Sequence, residues 1–99
     1  MSLSTHVLDA ASGRPADAVG VRLERADGSG WTLLARDRTD ADGRITGWET
    51  GSGVHRLVFD TRGAFFPEVT VTFQVTDPRR HHHMPLLLSP FAYSTYLGS

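Results

Sequence analysis

His6, Arg44 and the run His81-His82-His83 are the side chains of this sequence whose types and placement suit chemistry. Histidine titrates near neutrality, so it can take a proton from water or return one to a leaving group. Arginine carries a fixed charge and a planar fork of donors, suited to polarising a carbonyl or gripping an anion. In one site these residue types could combine proton transfer with polarisation of a carbonyl or binding of an anion. Each also has an ordinary reading. His6, in Leu3-Ser4-Thr5-His6-Val7-Leu8-Asp9, would alone be a strand histidine facing solvent or held by a hydrogen bond. Arg44 follows Thr39-Asp40-Ala41-Asp42-Gly43, where Asp-Gly predicts a tight turn, and an arginine beside a turn is commonplace. The triple histidine could be a metal site, a purification remnant or one wall of an active site. A closed zinc site needs four ligands, so His81 and His83 would have to recruit His6 and a carboxylate. A remnant fits poorly, because the run is internal and only three residues long.

The elements that must position these residues follow a period of two. Val69, Val71, Phe73 and Val75 alternate with Thr70, Thr72, Gln74 and Thr76, which predicts a strand with one buried face. Val19, Val21 and Leu23 alternate with Gly20, Arg22 and Glu24 in the same way. Further β-prone runs cover 3–8, 31–35, 54–59, 84–88 and 92–97, with turn signals such as Asp27-Gly28, Asp42-Gly43 and Ser89-Pro90 between them. No ten-residue segment carries a helical stripe. Seven or eight strands at this spacing predict an all-β sandwich, and 99 residues suit one domain spanning 1–99. In the closing strand His81 and His83 share a face with Pro85 and Leu87, while His82 joins Met84 and Leu86 on the other.

Composition excludes several function classes. Ten Lys+Arg against eleven Asp+Glu leave a formal charge of −1, which gives no electrostatic case for nucleic acid or an anionic membrane. No cysteine is present, so disulfides and thiolate metal sites are excluded. Neither a signal peptide nor a transmembrane run is visible, and a cytoplasmic location is the default expectation. A chain this short buries only about 65% of its unfolded surface, so oligomerisation is an expected source of stability.

Four blocks together resemble the 5-hydroxyisourate hydrolases, the transthyretin-like enzymes of purine catabolism. They are Leu3 to Asp9 with Gly13-Arg14-Pro15-Ala16, Thr39 to Arg44, Phe65-Phe66-Pro67-Glu68, and His81 to Ser99, spread over nearly the whole length. The family reads His-Tyr-His-Val-Pro-Leu-Leu-Leu-Ser-Pro and ends Tyr-Arg-Gly-Ser. Here those stretches are His81-His82-His83-Met84-Pro85-Leu86-Leu87-Leu88-Ser89-Pro90 and Tyr96-Leu97-Gly98-Ser99. The resemblance implies a transthyretin-like (prealbumin-like) two-sheet antiparallel sandwich, assembled as a homotetramer with active sites at the ends of a central channel. It implies that His6, Arg44 and His83 are catalytic, that His6, Arg44 and Tyr96 bind substrate, and that no metal or other cofactor takes part. The implied reaction opens a ring amide of 5-hydroxyisourate to give 2-oxo-4-hydroxy-4-carboxy-5-ureidoimidazoline, on the way from urate to allantoin. Hormone-carrying transthyretins lack this pair of histidines and the arginine. The chain departs from the pattern twice. Leu97 stands where the family has arginine, and only Arg62-Gly63-Ala64 separate Thr61 from Phe65, where the family carries a short helix. That helix is expected to be largely deleted, with the site intact. His81 and His82 are read as structural, and His55 falls outside the matched blocks.

The division of base and acid between His6 and His83 is open at the level of sequence. The rival reading is a non-catalytic transthyretin-like module that binds a small aromatic ligand in its channel; such a carrier has no need of His6, Arg44 and His83 together. An interaction β-sandwich and a metal-dependent hydrolase are two further rivals.

Overall fold

The computed structural model describes residues 2–98, arranged in nine strands. β1 (Ser2–Asp9), β2 (Arg14–Pro15), β5 (Arg44–Glu49), β8 (His82–Ser89) and β9 (Ala92–Thr95) form one sheet. β3 (Gly20–Asp27), β4 (Gly30–Arg38), β6 (Gly53–Asp60) and β7 (Val69–Val75) form the other, in the order β4-β3-β6-β7. The expected seven or eight strands are all present, and the ninth is the two-residue β2. The pairing is antiparallel throughout except between β1 and β8, which run parallel. Parallel neighbours need a long crossover, and here nearly the whole chain lies between them. The two strands that carry His6 and His83 therefore come together only when the sandwich closes.

Alternation predicts the core well. Leu3 and Val7 on β1, Val21 and Leu23 on β3, Leu57 and Phe59 on β6, and Leu86 on β8 are buried to within 1% of full coverage. Between the sheets they form one cluster, and burial of such aliphatic side chains contributes roughly 1.5–3 kcal/mol each. Two bulges break the alternation. On β5 the partners of Leu3 and Thr5 are Trp48 and Ile45, so one extra residue sits between them, and Gly47 beside it has φ +79°. The bulge turns both Ile45 and Trp48 toward the core despite their odd spacing. On β4 the extra residue is Leu34, and Leu34 and Ala35 both pack against the core.

Among the described residues there is no helix. The segment after β6 reverses tightly instead. The Thr61 hydroxyl donates to the Phe66 carbonyl, and the Arg62 N–H donates to that of Pro67 at 3.1 Å. Gly63 is required there, because a Cβ would lie 2.6 Å from the Phe66 carbonyl oxygen. No helix among the described residues is long and apolar enough to cross a membrane.

Candidate active site

One edge of β1 is shared by two strands. β5 pairs with Ser2 to His6, and β2 with Leu8 and Asp9. In this register His6 lies directly opposite Arg44. On the other edge of β1 the parallel ladder sets Ser4 opposite His83. Cross-strand partners share a face, so Ser4, His6, Arg44 and His83 all stand on the outer face of the five-stranded sheet. Thr5, Val7, Ile45, Met84 and Leu86 take the core face and are buried.

The turn before β5 is built to deliver Arg44. The Asp40 carboxylate oxygen Oδ1 accepts from the backbone N–H groups of Asp42 and Arg44, both at 2.9 Å. The Gly43 N–H donates to the Asp40 carbonyl at 2.9 Å, and the Gly43 carbonyl accepts from the Val7 N–H at 2.7 Å. Gly43 has φ +77°, and a Cβ there would meet the Val7 carbonyl oxygen at 2.4 Å. Glycine is needed on both counts, for the left-handed conformation and for the close approach to β1. Arg44 emerges exposed beside His6, and the two border an open hollow with Pro15 and Asp42.

His83 is braced on two sides. Its Nδ1 lies 2.7 Å from the Ser4 Oγ, which also sits 3.1 Å from the Nε2 of His81. Against the other edge of the ring lies Gly98, whose N–H donates to the His83 carbonyl at 2.7 Å. A Cβ on Gly98 would come within 2.9 Å of the His83 Cδ2, so the near-terminal glycine is a packing requirement of the imidazole. Partial burial pushes the His83 pKa below its ordinary value, and the nearby charges of His6, Arg44 and His81 push it the same way. Each cause disfavours the imidazolium, leaving a neutral ring with a lone pair near neutrality.

The structure thus sets His6, Arg44 and His83 on one sheet face, and Tyr96 stands in the tail that follows β9. β9 ends at Thr95, one residue short of Tyr96, and the ladder resumes only at the bridge between His83 and Gly98. Tyr96 and Leu97 are both exposed, and both border a hollow of about 260 Å³ with Phe73, His82 and Met84. A regular strand over the β-prone run 92–97 would have put them on opposite faces, but β9 ends before either. Ser99, the last residue of the closing motif, lies outside the described residues. His82 is buried on the core face as expected, its Nδ1–H donating to the Arg80 carbonyl at 2.9 Å. Among the described residues no three His, Asp or Glu side chains are gathered to hold a metal ion.

Sequence reasoning passed over three residues that matter here. Ser4 has a role that its spacing could have suggested, because it lies two residues before His6 and so on the same strand face. Gly98 carries no such signal, since its partner is fifteen residues away across a bridge. His55 is fully buried, stacked on Phe73 at 5.9 Å, with its Nδ1–H donating to the Gly53 carbonyl at 3.0 Å. Its Nε2 finds no partner among the described residues. It shares the core-facing parity of Leu57 and Phe59, which was the available clue.

The family model described as HIUase/Transthyretin family matches residues 3–98. The 5-hydroxyisourate hydrolase of Salmonella dublin is 42% identical over 109 aligned positions, covering 98% of this chain and 80% of the relative. That alignment is longer than the 99-residue chain itself, in keeping with a lost segment. Among solved structures, sea bream transthyretin in complex with thyroxine superposes with a TM-score of 0.89 at 34% identity, covering 97% of this chain and 93% of that one. The 5-hydroxyisourate hydrolase of Klebsiella pneumoniae superposes with a TM-score of 0.86 at 33% identity, covering 99% and 98%.

Proposed function

This chain belongs to the HIUase/Transthyretin family, and from that premise we propose that it hydrolyses 5-hydroxyisourate to 2-oxo-4-hydroxy-4-carboxy-5-ureidoimidazoline in the degradation of urate. The backbone alone does not choose between hydrolase and carrier, since a transthyretin holding thyroxine superposes as well as a hydrolase does. The observation that carries the choice is the set His6, Arg44 and His83 on one sheet face. A channel that only carried an aromatic ligand would gain nothing from two histidines and a guanidinium grouped in this way.

Arg44 would bind the substrate carbonyl and stabilise the negative charge that grows on its oxygen as water attacks, and its fixed charge joins partial burial in disfavouring the imidazolium of His83. His6 and His83 would share the removal of a proton from water and its delivery to the departing ring nitrogen. Tyr96 would hydrogen-bond the substrate ring from the tail whose Gly98 already packs on His83. The reaction needs no metal or organic cofactor in this scheme. The site lies open on a sheet face, and the hollow beside His6 and Arg44 has no far wall. A homotetramer with this face lining a central channel would supply one, with 5-hydroxyisourate as the small-molecule partner and the cytoplasm as the place of action.

Urate oxidase acting on urate generates the substrate, whose ultraviolet absorbance then decays spontaneously. We expect this protein to accelerate the decay strongly and to do so equally after treatment with a chelator. A decay no faster than the spontaneous one would favour the carrier reading, and loss of activity on chelation would favour a metal-dependent hydrolase.

A further inference from the structure

The hydroxyl of Ser4 touches two histidines at once, 2.7 Å from the Nδ1 of His83 and 3.1 Å from the Nε2 of His81. Ser4 is buried, with 7% of its surface exposed, so these are the partners available to its hydroxyl. The parallel register of β1 and β8 puts Ser4 directly opposite His83, and His81 stands two residues earlier on the same side. A serine hydroxyl has one proton to give and two lone pairs. Bridging two ring nitrogens, it can donate to only one of them and must accept from the other.

We propose that Ser4 is a positioning residue that sets the tautomer of His83 and links it to His81 as a proton relay. This rests on His83 being a site residue as set out above. Two arrangements satisfy all three groups. In the first, His83 Nδ1–H donates to Ser4 and the Ser4 hydroxyl donates to His81 Nε2, so His83 Nε2 carries a lone pair and can act as a base. In the second, His81 Nε2–H donates to Ser4 and Ser4 donates to His83 Nδ1, so His83 Nε2 carries a proton and can act as an acid.

Moving between them balances without any outside reagent. His83 Nε2 takes a proton from the attacking water, and the Nδ1 proton passes to the Ser4 oxygen. The proton of Ser4 passes in turn to His81 Nε2. His83 is then neutral with a proton on Nε2, ready for the leaving nitrogen, and the positive charge rests on the more exposed His81. When His83 has given up that proton, the reverse passage restores the first arrangement. The direction of travel is physically reasonable because burial and the charges of His6 and Arg44 disfavour an imidazolium at His83. His81 thereby gains a function beyond the structural one that the sequence suggests.

The test pairs kinetics with imidazole ¹⁵N NMR on Ser4→Ala, Ser4→Thr and His81→Gln. Ser4→Ala should lower kcat by roughly 10- to 100-fold, the size of a lost proton-transfer contribution, with KM changed by less than about threefold. It should also move the acid limb of the rate profile to lower pH, because the imidazolium of His83 loses an acceptor. Ser4→Thr keeps the hydroxyl on a strand and should recover most of the rate. His81→Gln can still hydrogen-bond to Ser4 but cannot take up a proton, and should lose roughly tenfold in kcat. Wild-type kcat and pH profile in Ser4→Ala or in His81→Gln would overturn the relay, as would a Ser4→Thr variant no better than Ser4→Ala. The NMR arm needs no substrate: the ring nitrogen shifts of His83 should change in Ser4→Ala, and unchanged shifts would overturn the positioning role. A wild-type protein inactive on 5-hydroxyisourate would overturn the functional reading and the relay with it, and leave that arm to decide the positioning role on its own.

Discussion

The four polar side chains on the outer face of the five-stranded sheet have unequal surroundings. Arg44 is exposed, His6 and His83 are partly covered, and Ser4 is buried. Because none of them contributes to the packing between the sheets, activity and stability should separate. Replacing His6, Arg44 or His83 with alanine is expected to cost roughly 100-fold or more in hydrolysis rate, a general acid–base or oxyanion-sized loss. Thermal unfolding of each variant should stay close to that of the wild type; if His83→Ala kept near-wild-type turnover, His83 would not be a catalytic group. His55 should behave in the opposite way. Its Nε2 is buried without a partner among the described residues, and burial lowers its pKa, the Gly53 carbonyl opposing and Arg25 and His82 assisting. The folded state holds it neutral while the unfolded chain binds a proton near pH 6.5. Between the lowered folded value and 6.5 the unfolded state binds more protons, so stability is fully present above about pH 6.5 and is lost as pH falls. His55→Phe removes the unsatisfied Nε2 but also the donor to the Gly53 carbonyl, so stability near pH 7 should change by less than about 1 kcal/mol, while the acid side of a melting-temperature profile measured from about pH 7 to 5 should flatten.

Strands and turns decide where those side chains stand. β5 owes its start to the Asp40–Gly43 turn, in which one carboxylate oxygen and one left-handed glycine hold the chain against β1. Gly43→Ala would strain the backbone and push a methyl into the Val7 carbonyl. We expect it to cost about 1–3 kcal/mol in stability and to lower the hydrolysis rate by displacing Arg44, both readable from one purified variant. The tail after β9 is the opposite case. Leu97 is about half exposed at the edge hollow, and no strand ladder fixes its direction. An arginine there would reach solvent or a peripheral charge, and exposed pairs are worth about 0–1 kcal/mol. Leu97→Arg is therefore expected to change the hydrolysis rate by less than about tenfold, or roughly 1.4 kcal/mol of barrier. A gain of about 100-fold in the same assay would mean that the arginine reaches the substrate or the chain terminus.

The whole molecule presents two unfinished features. β9 and β7 end their respective sheets with unpaired edges, and Phe65, Phe91, Tyr93 and Tyr96 are exposed. Free strand edges and exposed aromatic groups favour association, and closed symmetry is the usual outcome. The site face is likewise open on a single chain. A homotetramer would cover the edges and wall the site together, so activity should follow assembly. Light scattering at micromolar concentration is expected to give a mass near four times 10.8 kDa. An active monomer would contradict it.

The period-two alternation of sequences such as Val69 to Val75 determined the strand positions, the buried face and the all-β class by itself. Side chains on a pleated strand have no choice but to alternate, so this information is local. The clustering of His6, Arg44 and His83 was legible only through a resemblance, because their spacing along the chain says nothing about their distance in space. Tertiary structure decided three things that alternation could not. A bulge at Gly47 turned Ile45 and Trp48 to the same side, since one inserted residue reverses the parity of everything after it. The early end of β9 left Tyr96 and Leu97 without a fixed parity, because without a ladder partner nothing enforces the pleat. The parallel pairing of β1 with β8 brought Ser4 between His81 and His83, from the two ends of the chain. That register exists only once two apolar faces have closed on each other, and the polar contacts on the far side follow from it.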